Sequence, residues 1–218
     1  MLMSIIRIFC MILCALIISV SGKMEAEARS GEIKTDKVNV VFSNKYLELQ
    51  NNDVTFQNGK KGTYLKFTAP GGKPSTGVVI LVINDKDEVL LVRSFRYAVG
   101  VTMWELPRGG AEGAEDYISA GLRELREETS IERSHILSKE LMGVINPNSA
   151  ISDSEVALVS MRVKDTQARP DQEEVQAAKW VHLDQLMAQV QSGEIKDAFT
   201  ISALFFYVAK RLSLRLKK

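Results

Sequence analysis

Beyond its N-terminal stretch the chain has no cysteine: of 218 residues only Cys10 and Cys14 carry thiols, and both lie in one apolar run. Disulfides, thiolate metal sites and a cysteine nucleophile are thereby excluded from the remainder. Histidine is scarce as well, and His135 and His182 read as surface or strand positions without a catalytic role. Bulk charge is missing too, with 28 Lys+Arg against 27 Asp+Glu. That balance excludes nucleic-acid coating by a basic domain and an acidic, solvated disordered chain. Five prolines, 45% hydrophobic and 25% charged residues describe an ordinary globular protein with room for one generous core or two small ones.

Residues 1–22 contain no acid and one base, Arg7, followed by an apolar run over 8–20 and small residues at Ser21-Gly22 and Ala26-Glu27-Ala28. The run is short for a membrane span, which needs about 20 apolar residues, and suits the apolar region of a signal peptide. Residues 1–22 are expected to be a signal peptide or membrane anchor, giving export or membrane association; a true start at Met24 would instead leave the protein cytoplasmic. Residues 23–37 read as a linker. Residues 38–70 read as a small N-terminal β region, with strands at 38–42, 46–49, 54–56 and 64–67 broken by Asn-Asp, Asn-Gly and Gly-Thr turns.

After the Pro70-Gly71-Gly72-Lys73-Pro74 boundary, two apolar runs at 77–83 and 89–92 flank Asn84–Glu88, a hairpin composition. From Asp116 to Glu128 the period is helical, with Ile118, Leu122 and Leu125 on one face. Further strands are expected at 156–163 and 177–183, and helices at 184–191 and 197–211, the last turning Ile201, Leu204, Phe205 and Val208 inward. The fold class is therefore α+β, a sandwich of helices on a mixed sheet over 75–218 plus the small N-terminal sheet.

Glu124 and Glu128 fall one helical turn apart, with Glu127 alongside. Three carboxylates so crowded repel one another. A hard divalent cation, sharing its oxygen ligands between carboxylates and substrate phosphate, removes that penalty. The glycines after Leu106-Pro107-Arg108 are expected to loosen a loop whose carbonyls approach such a metal. The segment from Gly109 through Glu115, Arg123, Glu124, Leu125, Glu127 and Glu128 to Ile131 resembles the Nudix box, G-x5-E-x7-R-E-U-x-E-E-x-G-U with U aliphatic. Eight of nine defined positions agree; Ser130 stands where the family has its final Gly, the residue that ends the helix in a left-handed conformation. The stretches Val92–Tyr97 and Trp104–Gly109, and Ser192–Thr200 near the C-terminus, resemble the ADP-ribose pyrophosphatase branch of that family.

The resemblance implies a Nudix-type α/β/α sandwich with a mixed sheet, commonly in an intertwined homodimer. It implies Mg²⁺, with Mn²⁺ as substitute, held by Glu124, Glu127, Glu128 and the carbonyl of Arg108. Glu127 doubles as a holder of metal-bound water. Gly109, Glu115 and Arg123 take structural roles in the box. Within the acidic cluster 171–174, Glu173 is the first choice for the general base, with Asp171 and Glu174 as rivals. Arg96 and Glu105 are expected to bind substrate, whereas Arg93 reads as a surface residue and Trp104 as core. The implied reaction is hydrolysis of the diphosphate linkage of a nucleoside diphosphate sugar, ADP-ribose first, to AMP and ribose 5-phosphate. The alternatives are a pyrophosphatase for another nucleotide sugar or dinucleotide such as GDP-mannose, or a non-catalytic nucleotide-binding module.

Overall fold

A computed structural model describes residues 31–215, so the leader at 1–22 and most of the linker lie outside the described residues. The chain divides between Pro70 and Gly71 into two compact units. The first holds β1 (Lys34–Lys37), β2 (Val40–Ser43), β3 (Glu48–Thr55) and β4 (Lys61–Thr68). β4 runs along one side of β3, and β1 and β2 share its other side, all antiparallel. Part of the stretch read as linker is thus strand β1. Two of the expected turns are strand as well. Asn52-Asp53 stays extended because Asn52 donates to Gln50 Oε1 at 2.9 Å and accepts the Asn39 N–H at 3.0 Å, giving buried amides partners along the strand. Gly62-Thr63 stays extended because a side chain at 62 would run into the Phe56 ring, so this glycine serves packing rather than turning. The Asn58-Gly59 turn forms, with Gly59 at φ +80°.

The second unit is an α/β/α sandwich on a seven-stranded sheet. Its strands are β5 (Thr76–Ile83), β6 (Glu88–Arg96), β7 (Val101–Glu105), β8 (Arg108–Gly110), β9 (Ile136–Ile145), β10 (Glu155–Val163) and β11 (Val175–His182). The main path runs β11-β6-β5-β10-β9, with β7 pairing with β6 and β8 with β5. Only β5 and β10 are parallel, so the sheet is mixed. The continuous apolar runs of β5 and β6 are buried on both faces, the environment in which strands need no polar alternation.

One face carries α1 (Tyr117–Thr129), whose Ala120 and Leu125 pack with Val78, Ile80, Val82 and Met161. The other carries α2 (Leu183–Gln191) and α3 (Ala198–Arg215), whose Leu186, Ala203 and Leu204 pack with Val79, Leu81, Leu91 and Leu158. Helix α3 is rotated from the expected face. Thr200, Ala203 and Leu204 are buried, while Ile201 and Phe205 point outward at 37% and 68% exposure. Strand β9, absent from the sequence reading, is an edge strand with mostly exposed Ser, Lys and Glu in its first half, so it lacks the apolar pattern that marks its neighbours. Among the described residues no helix is long and apolar enough to cross a membrane.

Candidate active site

Helix α1 begins where Asp116 accepts the N–H groups of Ile118 and Ser119 at 2.9 and 3.0 Å, an N-cap of ordinary geometry. It ends at Ser130, in the left-handed conformation at φ 59°, as the family pattern requires of its glycine. Between these caps the acids divide by burial. Glu128 is 5% exposed, Glu124 half-buried and Glu127 exposed. Arg123 lies among them. Its guanidinium donates to Glu124 at 2.8 Å, Glu127 at 3.0 Å, Glu115 at 3.1 Å and the Gly110 carbonyl at 2.6 Å. Burial works against its charge, but the carboxylates of Glu115, Glu124 and Glu127 prevail and raise its pKa. Glu115 is held well down by the same arginine.

The Arg108–Gly110 segment is a strand rather than a loosened loop, because Arg108, Gly109 and Gly110 pair with Val79, Val78 and Gly77 of β5. Gly109 has a packing reason to lack a side chain. A Cβ there would overlap the Glu124 carboxylate, so backbone and acid are in direct contact. Alongside, the Arg108 N–H donates to Glu128 Oε2 at 3.2 Å. Burial pushes the Glu128 carboxyl up to about 8; the Arg108 N–H opposes this, and the charges of Glu124 and Glu105 add to it. Burial also raises Glu124, against the pull of Arg123 and with further pushes from Glu127 and Glu174.

Behind the box sits a buried ion network. Glu105 is fully buried and is gripped by Arg96, through Nε at 3.1 Å and through Nη2, and by Arg108 Nη2 at 2.9 Å. Arg108 Nη1 reaches Asp197 at 3.2 Å, and the Arg108 guanidinium lies over the Phe199 ring, 4.7 Å from its centroid. Asp197 and Thr200 are buried where α3 begins. Burial alone would lower the pKa of Arg96; hydrogen bonding to Glu105, with the charges of Asp197 and Glu128, raises it instead. Arg96 is therefore within electrostatic reach of the most buried box carboxylate.

The segment that carries these carboxylates, the glycine backbone and the guanidinium lies within residues 56–201, which match the family model of the NUDIX domain. The chain belongs to the Nudix hydrolase family. It is 29% identical over 183 residues to the ADP-ribose pyrophosphatase of Bacillus subtilis (strain 168), covering 84% of this chain and 96% of that one. It is 26% identical over 176 residues to the methanol dehydrogenase activator of Bacillus methanolicus, covering 79% and 91%. The crystal structure of an ADP compounds hydrolase has the same fold, with a TM-score of 0.67 at 18% identity, over 84% of this chain and 96% of that one.

The Nudix box accounts for Glu124, Glu128, Arg123, Glu115 and Gly109 as one cluster. One expectation changes with the geometry, and the acidic loop gains detail. Glu105, expected to meet substrate, has no exposed surface, and both its oxygens are committed to arginines. It holds Arg96 in place. In the acidic loop, Asp171 Oδ1 is occupied by the N–H groups of Glu173, Glu174 and Val175 at 3.1, 3.2 and 3.0 Å. Of the two glutamates that follow, both exposed, Glu174 adds to the upward push on Glu124. Asp197 and Thr200 lie in the segment read as a helix start, but the sequence reading assigned neither to the site. The signal was present, since an Asp three residues before a Thr at a helix start is a capping pattern. Arg93 is exposed, and Trp104 packs against the core with Lys179 over its ring at 4.2 Å.

The donor set suits a divalent cation. The buried Glu128 and half-buried Glu124, both raised in pKa by burial, adjoin a backbone with no side chain in the way. A cation placed beside them favours their ionised forms, and hard oxygen ligands favour Mg²⁺ or Mn²⁺. Among the described residues no three acidic or histidine side chains form a ready cage, and Arg123 occupies the space between Glu124 and Glu127.

Proposed function

We propose that this Nudix hydrolase is Mg²⁺-dependent and cleaves the diphosphate linkage of a nucleoside diphosphate sugar, with ADP-ribose as first substrate and AMP and ribose 5-phosphate as products. The observation that carries the reading is Glu128, a buried carboxylate with one backbone N–H as its hydrogen-bond partner, beside the half-buried Glu124 and within the field of Arg96. Bound through Glu124, Glu127, Glu128 and the Arg108 carbonyl, Mg²⁺ would neutralise these acids and polarise the phosphoryl oxygens. The likeness to the ADP-ribose pyrophosphatase over nearly the whole of both chains supports the substrate.

The chain's own residues then divide the work. Glu105 fixes Nε and Nη2 of Arg96, so the remaining Nη1 edge of the guanidinium is oriented for a phosphate oxygen. Arg123 holds Glu124 and Glu127 in place through its own hydrogen bonds. Glu174, exposed and acting on Glu124, takes the proton of the attacking water as its oxygen bonds to phosphorus and the bridging P–O bond breaks.

Purified protein with Mg²⁺ is expected to release AMP from ADP-ribose. A panel of nucleotide sugars, including GDP-mannose, and dinucleotides decides the alternatives. Turnover of another member in preference to ADP-ribose reassigns the substrate, and binding without turnover across the panel establishes a nucleotide-binding module. The same reading pairs two copies of the chain, in keeping with exposed apolar side chains such as Val41 and Phe42 of β2 in the first unit. Light scattering on the purified chain checks this, and a monomer at micromolar concentration overturns it.

A further inference from the structure

We propose that Asp197 and Thr200 form a latch that positions the Glu105–Arg108 turn and, through its backbone, Glu128. The inference deepens the hydrolase reading above and rests on it. Asp197 Oδ2 accepts the Thr200 N–H at 2.8 Å, which caps α3, and the Thr200 hydroxyl at 2.7 Å. The same hydroxyl accepts the Leu106 N–H at 3.0 Å. Donor and acceptor roles of one buried oxygen are thereby both assigned, and the backbone of the turn is tied to a helix 94 residues later in sequence.

The second arm runs through side chains. Asp197 Oδ1 accepts from Arg108 Nη1, while Arg108 Nη2 is held by Glu105. Arg108 is fixed at both ends of its guanidinium, and its own N–H is the hydrogen-bond donor to Glu128. Pro107 lies between the arms, its carbonyl accepting from Ile80 N–H at 2.9 Å. Neither Asp197 nor Thr200 reaches the box acids directly. Their effect on Glu128 passes through the Leu106–Arg108 backbone, as that of a positioning residue does. Outer hydrogen-bond partners of metal-binding groups typically change metal affinity or activity by about 10–100-fold.

The test uses the full chain and two readouts, binding of Mn²⁺ alone followed by electron paramagnetic resonance and steady-state hydrolysis of ADP-ribose. Thr200→Val keeps the side-chain shape and removes the hydroxyl. It is expected to weaken Mn²⁺ binding about 10-fold and lower kcat about 10–100-fold, with KM within about 2-fold. Thr200→Ser restores the hydroxyl and is expected to stay within about 3-fold of wild type on both. Folded Thr200→Val protein with wild-type Mn²⁺ affinity overturns the latch, and so do losses that Thr200→Ser shares in full. Where Thr200→Val does not fold, Asp197→Asn keeps an oxygen for the Thr200 N–H and removes the charge facing Arg108. A loss of about 5–10-fold in Mn²⁺ affinity supports the latch, and unchanged affinity overturns it. A wild type that binds Mn²⁺ yet hydrolyses nothing on the panel defeats the hydrolase reading alone, and the Mn²⁺ comparison still decides the latch.

Discussion

Glu105 and Glu128 are both buried acids close enough for the charge of one to act on the other, yet they are treated in opposite ways. Glu105 is surrounded by cations from its own chain, Arg96 and Arg108, on both carboxylate oxygens. Glu128 receives a single backbone N–H at 3.2 Å, and burial pushes its pKa up to about 8. A protein that can satisfy one carboxylate so fully leaves its neighbour short of positive charge. The first is a part of the framework. The second keeps a carboxylate that only a backbone N–H meets, and the difference separates support from chemistry within a single buried cluster.

The sharpest way to break the comparison is Glu128→Gln. Hydrolysis of ADP-ribose is expected to fall by at least about 10³-fold in kcat while circular dichroism reports an unchanged fold. Stability should move the other way. Because the folded pKa of about 8 lies above the ordinary 4.5, the charged form opposes folding. That penalty is absent below pH 4.5, grows as pH rises and is complete above about pH 8, so stability is lost with rising pH. Metal-free Glu128→Gln protein should therefore melt above wild type at pH 9 and level with it at pH 4.5. Equal melting temperatures at both pH values would show that Glu128 is compensated after all.

Glu105→Ala should act on the framework instead. Two guanidiniums lose their shared partner, and stability should drop by about 3 kcal/mol in urea denaturation. Arg96→Lys comes next in size. Lysine cannot keep the two-point grip on Glu105 while presenting a flat donor edge, so KM for ADP-ribose should rise about 10-fold, seen in steady-state kinetics, with a smaller change in kcat. The smallest expected effect is at the end of α1. Ser130→Gly relieves a left-handed backbone and should raise stability by about 0.5–1 kcal/mol in thermal denaturation, partly offset by loss of the Ser130 hydroxyl bond to the Arg169 carbonyl.

Features written into consecutive residues were legible from the sequence. The box fixed helix α1 from Asp116 onward, its buried Leu125 face and its acidic face. The apolar runs located β5 and β6, and the Asn84–Glu88 connection formed as a turn, with Asp87 in the left-handed region. What escaped depends on long-range partners. Glu105 reads as a substrate-binding acid until Arg96 of β6 and Arg108 of β8 close on both its oxygens. Thr200 is an ordinary helix residue until Leu106 arrives with an N–H to place. The Asn52-Asp53 turn was misread because the buried amide ladder of β3 overrides local propensity. The orientation of α3 was misread because apolar spacing allowed two faces, and the hydroxyl of Thr200 selected the inner one.

The contact between Gly109 and Glu124 has a consequence for how this site can vary. The two positions are coupled by volume, not by electrostatics: room for one carboxylate exists only because a methyl group is missing from the strand opposite. A change as mild as Gly109→Ala would displace Glu124 while leaving every acid of the box in the sequence. A descendant of this chain could therefore lose its chemistry and still display a nearly complete set of acidic residues, and the glycine is the position at which to look for that loss.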